Sequence, residues 1–314
     1  MNNYILAVAH YGNVSKAADA LGISQPALSA HIKKIEDQLG IVIFDRTVKP
    51  MAITDAGKLY IEYLNQKNNL DRTFHEQLSD LNDLKKGKLI LGGASFFNVS
   101  YYPKVIAKFL QQYPGIEIKV VDGSVPEIAR MASEHKLDLF IAPEWDMDEQ
   151  CEYEKVASEK IFLCVPEQFE INERLKGYRI PTEIVANGGA DEWISARGSK
   201  ARPDFTEFRN EKFIWLEENQ HIGNILSELF KRHGMTPDKS ISVTQTMTSF
   251  GLTLSGAGIS LITEGSLKTG MHKSLALYLI DEDLGQRDMF IAYPRNKYMS
   301  GAAKEFIKTF KETI

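Results

Sequence analysis

Apolar positions in the first forty residues recur every three or four places, the period of helices that bury one face. Tyr4, Ile5, Val8 and Ala9 mark a first helix, closed by Gly12-Asn13. Ser15 is the expected N-cap of a second, with Ala17, Ala18 and Leu21 inward. Gly22 gives a tight turn. Ser24 caps a third helix, and Pro26 falls in its first turn, where a missing N–H costs little. At about 100° per residue, Leu28, Ile32, Ile35 and Leu39 share one narrow face, with Pro26, Ala30 and Lys33 opposite, flanked by Ser29 and Lys34. Two short extended runs follow, at 41–44 and 51–53, around the turn Asp45-Arg46-Thr47-Val48-Lys49-Pro50.

Thr54 then caps a long helix running to about Leu84. Tyr60, Tyr63, Leu70, Phe74, Leu81 and Leu84 keep a three-and-four spacing, with Leu64 and Leu78 beside them. Thirty helical residues span about 45 Å. That exceeds the small domain they leave and favours pairing between two chains over packing within one. Lys85-Lys86-Gly87-Lys88 ends the helix.

From Lys88 the pattern becomes strand–helix alternation. Strands are expected at LILGG, IEIKVV, LDLFIA and 161–165, with helices near 101–113 and 125–135. A second set follows: strand EIVA, strand 213–216, a helix near 220–233, strand ISVT, a helix near 248–255 and strand GISLI. The chain closes with LALYLI, MFIAYP and a helix at about 300–313. This predicts an α/β architecture around a mostly parallel sheet.

The short second helix, glycine turn and third helix with a small, polar and basic outer face match a helix-turn-helix whose second helix enters the DNA major groove. Gln25 can pair with adenine and Ser29 can reach either base type. Lys33 or Lys34 can meet guanine or phosphate. An ordinary three-helix bundle with a basic face is the competing reading, and the extended runs that follow argue against it. They form a wing, with Arg46 and Lys49 placed to touch phosphate.

AVAHYGNVSKAADALGISQPALSAHIKKIEDQLGIVIFDRT…ITDAG closely resembles the winged helix-turn-helix of LysR-type transcriptional regulators. The resemblance rests on Ser15 with Ala17-Ala18, SQPALS from Ser24 to Ser29, Leu39-Gly40, Phe44 with Arg46, and Thr54 with Ala56-Gly57. Ala30, Pro50 and Ala52 depart from it, standing where the family often has polar or basic side chains. YYPKVIAKFLQQYPGIEIKVVDG, KLDLFIAP and SGAGISLIT extend it to the family's two-lobed effector domain, similar in fold to type 2 periplasmic binding proteins. The resemblance implies a DNA-binding domain at 1–58 (Ser24, Gln25, Pro26, Ser29, Lys33, Lys34, Arg46, Lys49), a dimerising linker helix at 59–87 and an effector domain at 88–314. Lobe one would take about 88–162 and 267–314, and lobe two about 163–266. The implied partners are double-stranded DNA, a second copy of the chain in a homodimer or homotetramer, a small-molecule effector, and RNA polymerase.

Ligands of such folds sit at strand ends and helix starts between the lobes. Ser95, Phe97 and Asn98 follow the first strand, Trp145 the third, and Gln220, His221, Thr246 and Thr248 precede helices of the second set. Each serves equally well as a turn or cap residue; their convergence is the argument, and Ser95 matches the family's inducer-contact position. With no basic residue clearly placed in these loops, one carboxylate on an apolar or planar body is expected: a monocarboxylate or amino-acid-like metabolite.

Composition narrows this further. The 314 residues carry 43% hydrophobic and 25% charged side chains and a net charge of −5. Residues 1–58 have six basic and five acidic groups, leaving −6 for the rest, so one copy should hold DNA weakly and two copies better. Two cysteines, Cys151 and Cys164, are too few for a disulfide framework and suit a cytoplasmic compartment. No run of 18 apolar residues marks a membrane span, and the first residues do not read as a secretory signal. The GxSxG, HExxH, P-loop and CxxC motifs are missing, and the seven histidines form no i, i+4 pair. No enzyme, cofactor or metal is therefore expected. A solute-binding protein with a helical extension is the alternative from another class.

Overall fold

The computed structural model describes residues 3–48, 51–81, 86–143, 149–217, 221–267 and 274–314. They divide into two compact units, Met1–Leu78 and Ser79–Ile314.

The first unit holds α1 (Asn3–Tyr11), α2 (Val14–Leu21) and α3 (Gln25–Leu39), then a two-stranded antiparallel ribbon of β1 (Phe44–Asp45) and β2 (Ala52–Ile53). Ser24 Oγ accepts from Ala27 N, and Gly22 and Gly40 end their helices with φ of +66°, a left-handed conformation that glycine adopts without strain. Ile5, Val8, Ala17, Ala18, Leu28, Ile32, Ile43, Phe44 and Leu64 form its core. Three expectations are corrected. The cap of α2 is Asn13, whose Oδ1 accepts from Lys16 N at 3.0 Å, so Ser15 lies inside the helix. Leu39 is 46% exposed, because α3 ends there and Gly40 turns the chain away. The first wing strand is only β1, since the chain at 41–43 runs without a partner strand.

Helix α4 (Asp55–Leu81) starts under Thr54, whose Oγ1 accepts from Gly57 N at 2.9 Å and donates to Val42 O at 2.5 Å. Gly57 is needed there: a Cβ would stand 2.2 Å from Ile43 O. Tyr60 and Leu64 turn into the core of the first unit, whereas Tyr63, Leu70, Phe74 and Leu81 are exposed, Leu70 by 73% and Leu81 by 81%. Leu84 lies outside the described residues.

The second unit runs β3 (Gly87–Gly93), α5 (Ser95–Ser100), α6 (Tyr102–Gln112), β4 (Ile116–Asp122), α7 (Val125–Ser133), β5 (Leu139–Pro143) and β6 (Cys151–Pro166). Then come α8 (Ile171–Arg174), α9 (Thr182–Ala186), α10 (Ala190–Arg197), β7 (Ile214–Leu216), α11 (His221–Arg232), β8 (Ile241–Val243), α12 (Thr246–Leu254), β9 (Ser260–Thr263), α13 (Glu264–Leu267), β10 (Leu275–Leu279), β11 (Gln286–Pro294) and α14 (Gly301–Thr313). The lobe-one sheet has the order β6-β11-β5-β3-β4. It is mixed rather than mostly parallel: β3 runs parallel to β4 and β5, but β11 is antiparallel to both β5 and β6. The reason is β6. Its first ten residues pair with β11, and its last six pair antiparallel with β9 and β10. Residues 275–280, expected in lobe one, pack in the lobe-two clusters instead, so the return to lobe one comes only with β11. One strand thus passes from lobe to lobe, and the chain returns antiparallel beside it.

The sequence reading placed this strand only at 161–165. The missed part, CEYEKVASEK, is too polar for a core strand, and its charges are met by partners on β11 and on neighbouring helices. Lys155 pairs with Asp288 at 2.5 Å and Glu152 with Arg295 at 2.8 Å. EIVA, expected as a strand, is α9. The turn begins after Pro181 and buries Val185 in the lobe-two core.

Lobe one packs α5, α6 and α14 over one face of its sheet through Phe97, Tyr102, Phe109, Phe306 and Phe310. Lobe two has two clusters, one around Trp215, Phe213 and Phe230, the other around Phe162, Trp193 and Phe250. No helix among the described residues is long and apolar enough to cross a membrane.

Candidate nucleic-acid interface and effector cleft

On α3 the burial of Leu28 and Ile32 fixes which face is presented outward. Gln25, Ser29 and Lys33, four apart, form a row on that face; Gln25 and Lys33 are exposed and Ser29 half-buried. Gln25 Nε2 donates to Ser29 Oγ at 3.3 Å, so the two expected base readers already touch. Ser24, Pro26 and Lys34 are exposed around the row, and Ala27 and Ala30 leave space for close approach. Arg46 follows β1 with its side chain 44% exposed. Beside it, Asp45 Oδ1 accepts from Thr47 N and Thr47 Oγ1 at 2.8 and 2.6 Å, and these bonds hold the Asp45 carboxyl below its usual pKa. Lys49 lies outside the described residues.

In the second unit, α12 packs against α5, and Met247 touches the cores of both lobes. This brings Ser95, half-buried at the start of α5, to the same junction as Thr246 and the exposed Thr248. His221, the first residue of α11, is pulled down to a pKa of about 4 by burial and then by the nearby Arg287 charge. Asn98 serves its own loop: its Nδ2 stands 3.2 Å from Gly93 O, 3.3 Å from Val121 O and 2.6 Å from Asp122 Oδ1. Phe97 is a buried core side chain. Trp145 and Gln220 lie outside the described residues.

The strongest polar cluster at this junction was not among the sequence candidates. Glu159 on β6 sits directly opposite Arg287 on β11. Both are buried, and Arg287 Nε donates to Glu159 Oε1 at 2.7 Å. Tyr101 donates its hydroxyl to Glu159 Oε2, and Gly265 N donates to the same oxygen at 3.3 Å. The Arg287 guanidinium also lies 5.5 Å from the Phe96 ring and 5.2 Å from that of Phe97. Burial and the Glu159 charge push the Tyr101 phenol far up, so it stays a neutral donor. Glu159 thereby joins the start of α6 to α13. Nothing in the sequence pattern marks the pair, which becomes visible only once β6 and β11 are in register.

Cys151 and Cys164 are both free and buried, and burial pushes the Cys164 thiol up. They lie 13 positions apart on one strand, roughly 43 Å at about 3.3 Å per residue, far outside disulfide reach.

A winged helix-turn-helix beside a two-lobed α/β domain defines a DNA-binding protein with a ligand-binding module. The family described as "Bacterial regulatory helix-turn-helix protein, lysR family" matches residues 3–58, and the "LysR substrate binding domain" matches 82–187 and 191–314. The chain belongs to the LysR family of transcriptional regulators. It is 23% identical over 316 residues to the uncharacterized HTH-type transcriptional regulator YcgK of Bacillus subtilis, covering 99% of this chain and 93% of that protein. It is also 23% identical to the HTH-type transcriptional regulator CbbR of Rhodospirillum rubrum, covering 97% and 93%. Among solved structures, full-length CbnR complexed with its target DNA superposes with a TM-score of 0.63 at 16% identity, covering 99% of this chain and 98% of that one. The solute-binding alternative is set aside by the match over the DNA-binding domain.

Proposed function

We propose that this regulator reads operator DNA with α3 in the major groove, pairs with a second copy through α4, and binds a small monocarboxylate or amino-acid-like effector between its lobes. It carries out no reaction of its own. The division of labour is 1–58 for DNA, 59–87 for pairing and 88–314 for the effector. Gln25 and Ser29 contact bases, Lys33 or Lys34 meets guanine or phosphate, and Arg46 and Lys49 meet phosphates. The observation that carries the DNA reading is the Gln25–Ser29–Lys33 row, whose outward aim is set by the burial of Leu28 and Ile32 behind it. Pairing is supported by the exposed Tyr63, Leu70, Phe74 and Leu81 on one long helix. Dimer and tetramer both satisfy that stripe.

For the effector, support comes from Ser95, Thr246 and His221 at one junction. Its ion pair is already satisfied internally: Arg287 is spent on Glu159. That leaves hydroxyls and backbone donors for one carboxylate. Binding would shift the population of lobe arrangements and so the placement of the reading helices on DNA. As a regulator acting on bacterial-type promoters, it would work in the cytoplasm and meet RNA polymerase there.

The test is a binding assay on a duplex selected from random sequence by the full-length protein. Gln25→Ala should cost about 1–3 kcal/mol on the selected duplex and relax base preference. A Gln25 variant that selects the same sequence with parental affinity would refute this docking. A thermal-shift screen of small carboxylates, followed by Ser95→Ala on any hit, tests the effector; a hit that is a neutral sugar or a cation would refute the carboxylate assignment.

A further inference from the structure

Glu36 is an acid on the reading helix of a DNA-binding domain, where negative charge opposes the function. Its position explains it. Glu36 Oε1 accepts from Ile43 N at 2.7 Å and from Phe44 N at 3.2 Å, and its backbone carbonyl accepts from Ile41 N at 3.2 Å. One residue of α3 thus receives three amides of the segment that leads into β1. Its second carboxylate oxygen stands 3.6 Å from Arg46 Nη2, with the Glu36 side chain only 14% exposed.

That last distance is beyond a hydrogen bond. The better-placed oxygen is spent on the backbone, and the guanidinium remains largely free. The contact therefore guides Arg46 without trapping it, because a loose, half-exposed ion pair is weaker than an arginine bonded to phosphate. Asp45 and Thr47 flank Arg46 and are joined across it by two short bonds. Arg46 thus sits in a closed turn whose near end is fixed to the helix that carries Gln25 and Ser29.

We infer that Glu36 is a positioning residue for DNA binding: its carboxylate locks the wing to the reading helix, so that Arg46 meets phosphate while α3 lies in the groove. This rests on the docking proposed above, in which Arg46 contacts phosphate.

The experiment is a double-mutant cycle on full-length protein, measuring affinity for a selected duplex across salt concentrations, well below the unfolding temperature. Arg46→Ala should weaken binding at least about tenfold and lower the salt slope by about 0.9 for each copy bound, about 1.8 for a pair with both wings on phosphate. Glu36→Ala should do the same, and the double variant should bind no worse than either single. Glu36→Gln should recover most of the loss, because its amide oxygen can accept from Ile43 N and Phe44 N. Where Glu36→Ala fails to fold, Glu36→Asp, which withdraws the carboxylate by one methylene, takes its place in the cycle. Additive losses, or a Glu36 variant that lowers the unfolding temperature but keeps the parental salt slope, would overturn the positioning role and leave the docking intact. An Arg46→Ala protein that binds like the parent would overturn the wing docking and this inference with it.

Discussion

Removing Glu159 tests whether the ion pair between β6 and β11 holds the second unit together. In Glu159→Ala, Arg287 would keep its charge in a site where its side chain is only 7% exposed. Tyr101 and Gly265 N would lose their acceptor as well. Breaking one side of a buried pair costs about 3–5 kcal/mol, mostly from the charge left behind. The lost hydrogen bonds belong to the same network, so their cost is contained within that range rather than added to it. With a urea m-value near the upper end for single domains, about 2.5 kcal/mol per molar, the midpoint should fall by about 1.5 M. Tryptophan fluorescence reads this unit alone, because Trp145, Trp193 and Trp215 all lie after residue 79. Glu159→Gln with Arg287→Met removes both charges at similar volume and should recover most of the stability, since a buried pair contributes little over a packed apolar replacement. A single variant losing less than about 1 kcal/mol, or a double variant no more stable than the single, would refute the reasoning.

What the sequence disclosed and what it hid follow from the range of the forces involved. The reading helix was legible because its determinants act within four residues: Gly22 before it, Ser24 and Pro26 at its start, Leu28 and Ile32 on its inner face, Gly40 at its end. The misplacement of the α2 cap, from Asn13 to Ser15, is an error of two positions between equally good capping residues. The first ten residues of β6 were illegible because their polar side chains are satisfied by distant partners. Glu159 meets Arg287 128 residues later, and Lys155 meets Asp288 133 residues later. Local patterning reads such a stretch as exposed. EIVA was misread because a run of only three apolar residues, Ile184 to Ala186, fits a buried strand and a helical turn alike. At the effector junction, loop ends and helix starts were visible as sequence punctuation. The Glu159–Arg287–Tyr101 cluster was not, because only the strand register creates it.

Three further outcomes are expected. Phe74→Glu with Leu81→Glu places charge in the exposed stripe of α4 and should yield a monomer at micromolar concentration by light scattering; a parent protein that is itself monomeric there would refute pairing through this helix. His221 sits at a pKa of about 4, below its unfolded value of 6.5, so between those values the unfolded chain takes up a proton that the folded one refuses. Stability should therefore fall as pH drops from 6.5 towards 4, by about 2 kcal/mol once partial exposure is allowed for, and His221→Gln should flatten that fall in the tryptophan-monitored urea midpoint; a variant as acid-sensitive as the parent would exclude His221 as the source. The last concerns the close approach of α13 to α6. At Gly265 a Cβ would stand 2.4 Å from Tyr101 Oη, 2.7 Å from its Cζ and 2.9 Å from its Cε2, distances that no real contact allows. The ring cannot yield, since Tyr101 is buried among Phe96, Phe97 and Phe310. Gly265→Ala should therefore push α13 outward, break the Gly265 N bond to Glu159 and cost about 1–3 kcal/mol. Adding Tyr101→Phe should recover only part of the loss, because the ring carbons stay in place. A Gly265→Ala protein within about 0.5 kcal/mol of the parent would mean that the two elements separate freely, and that Glu159 does not clasp them.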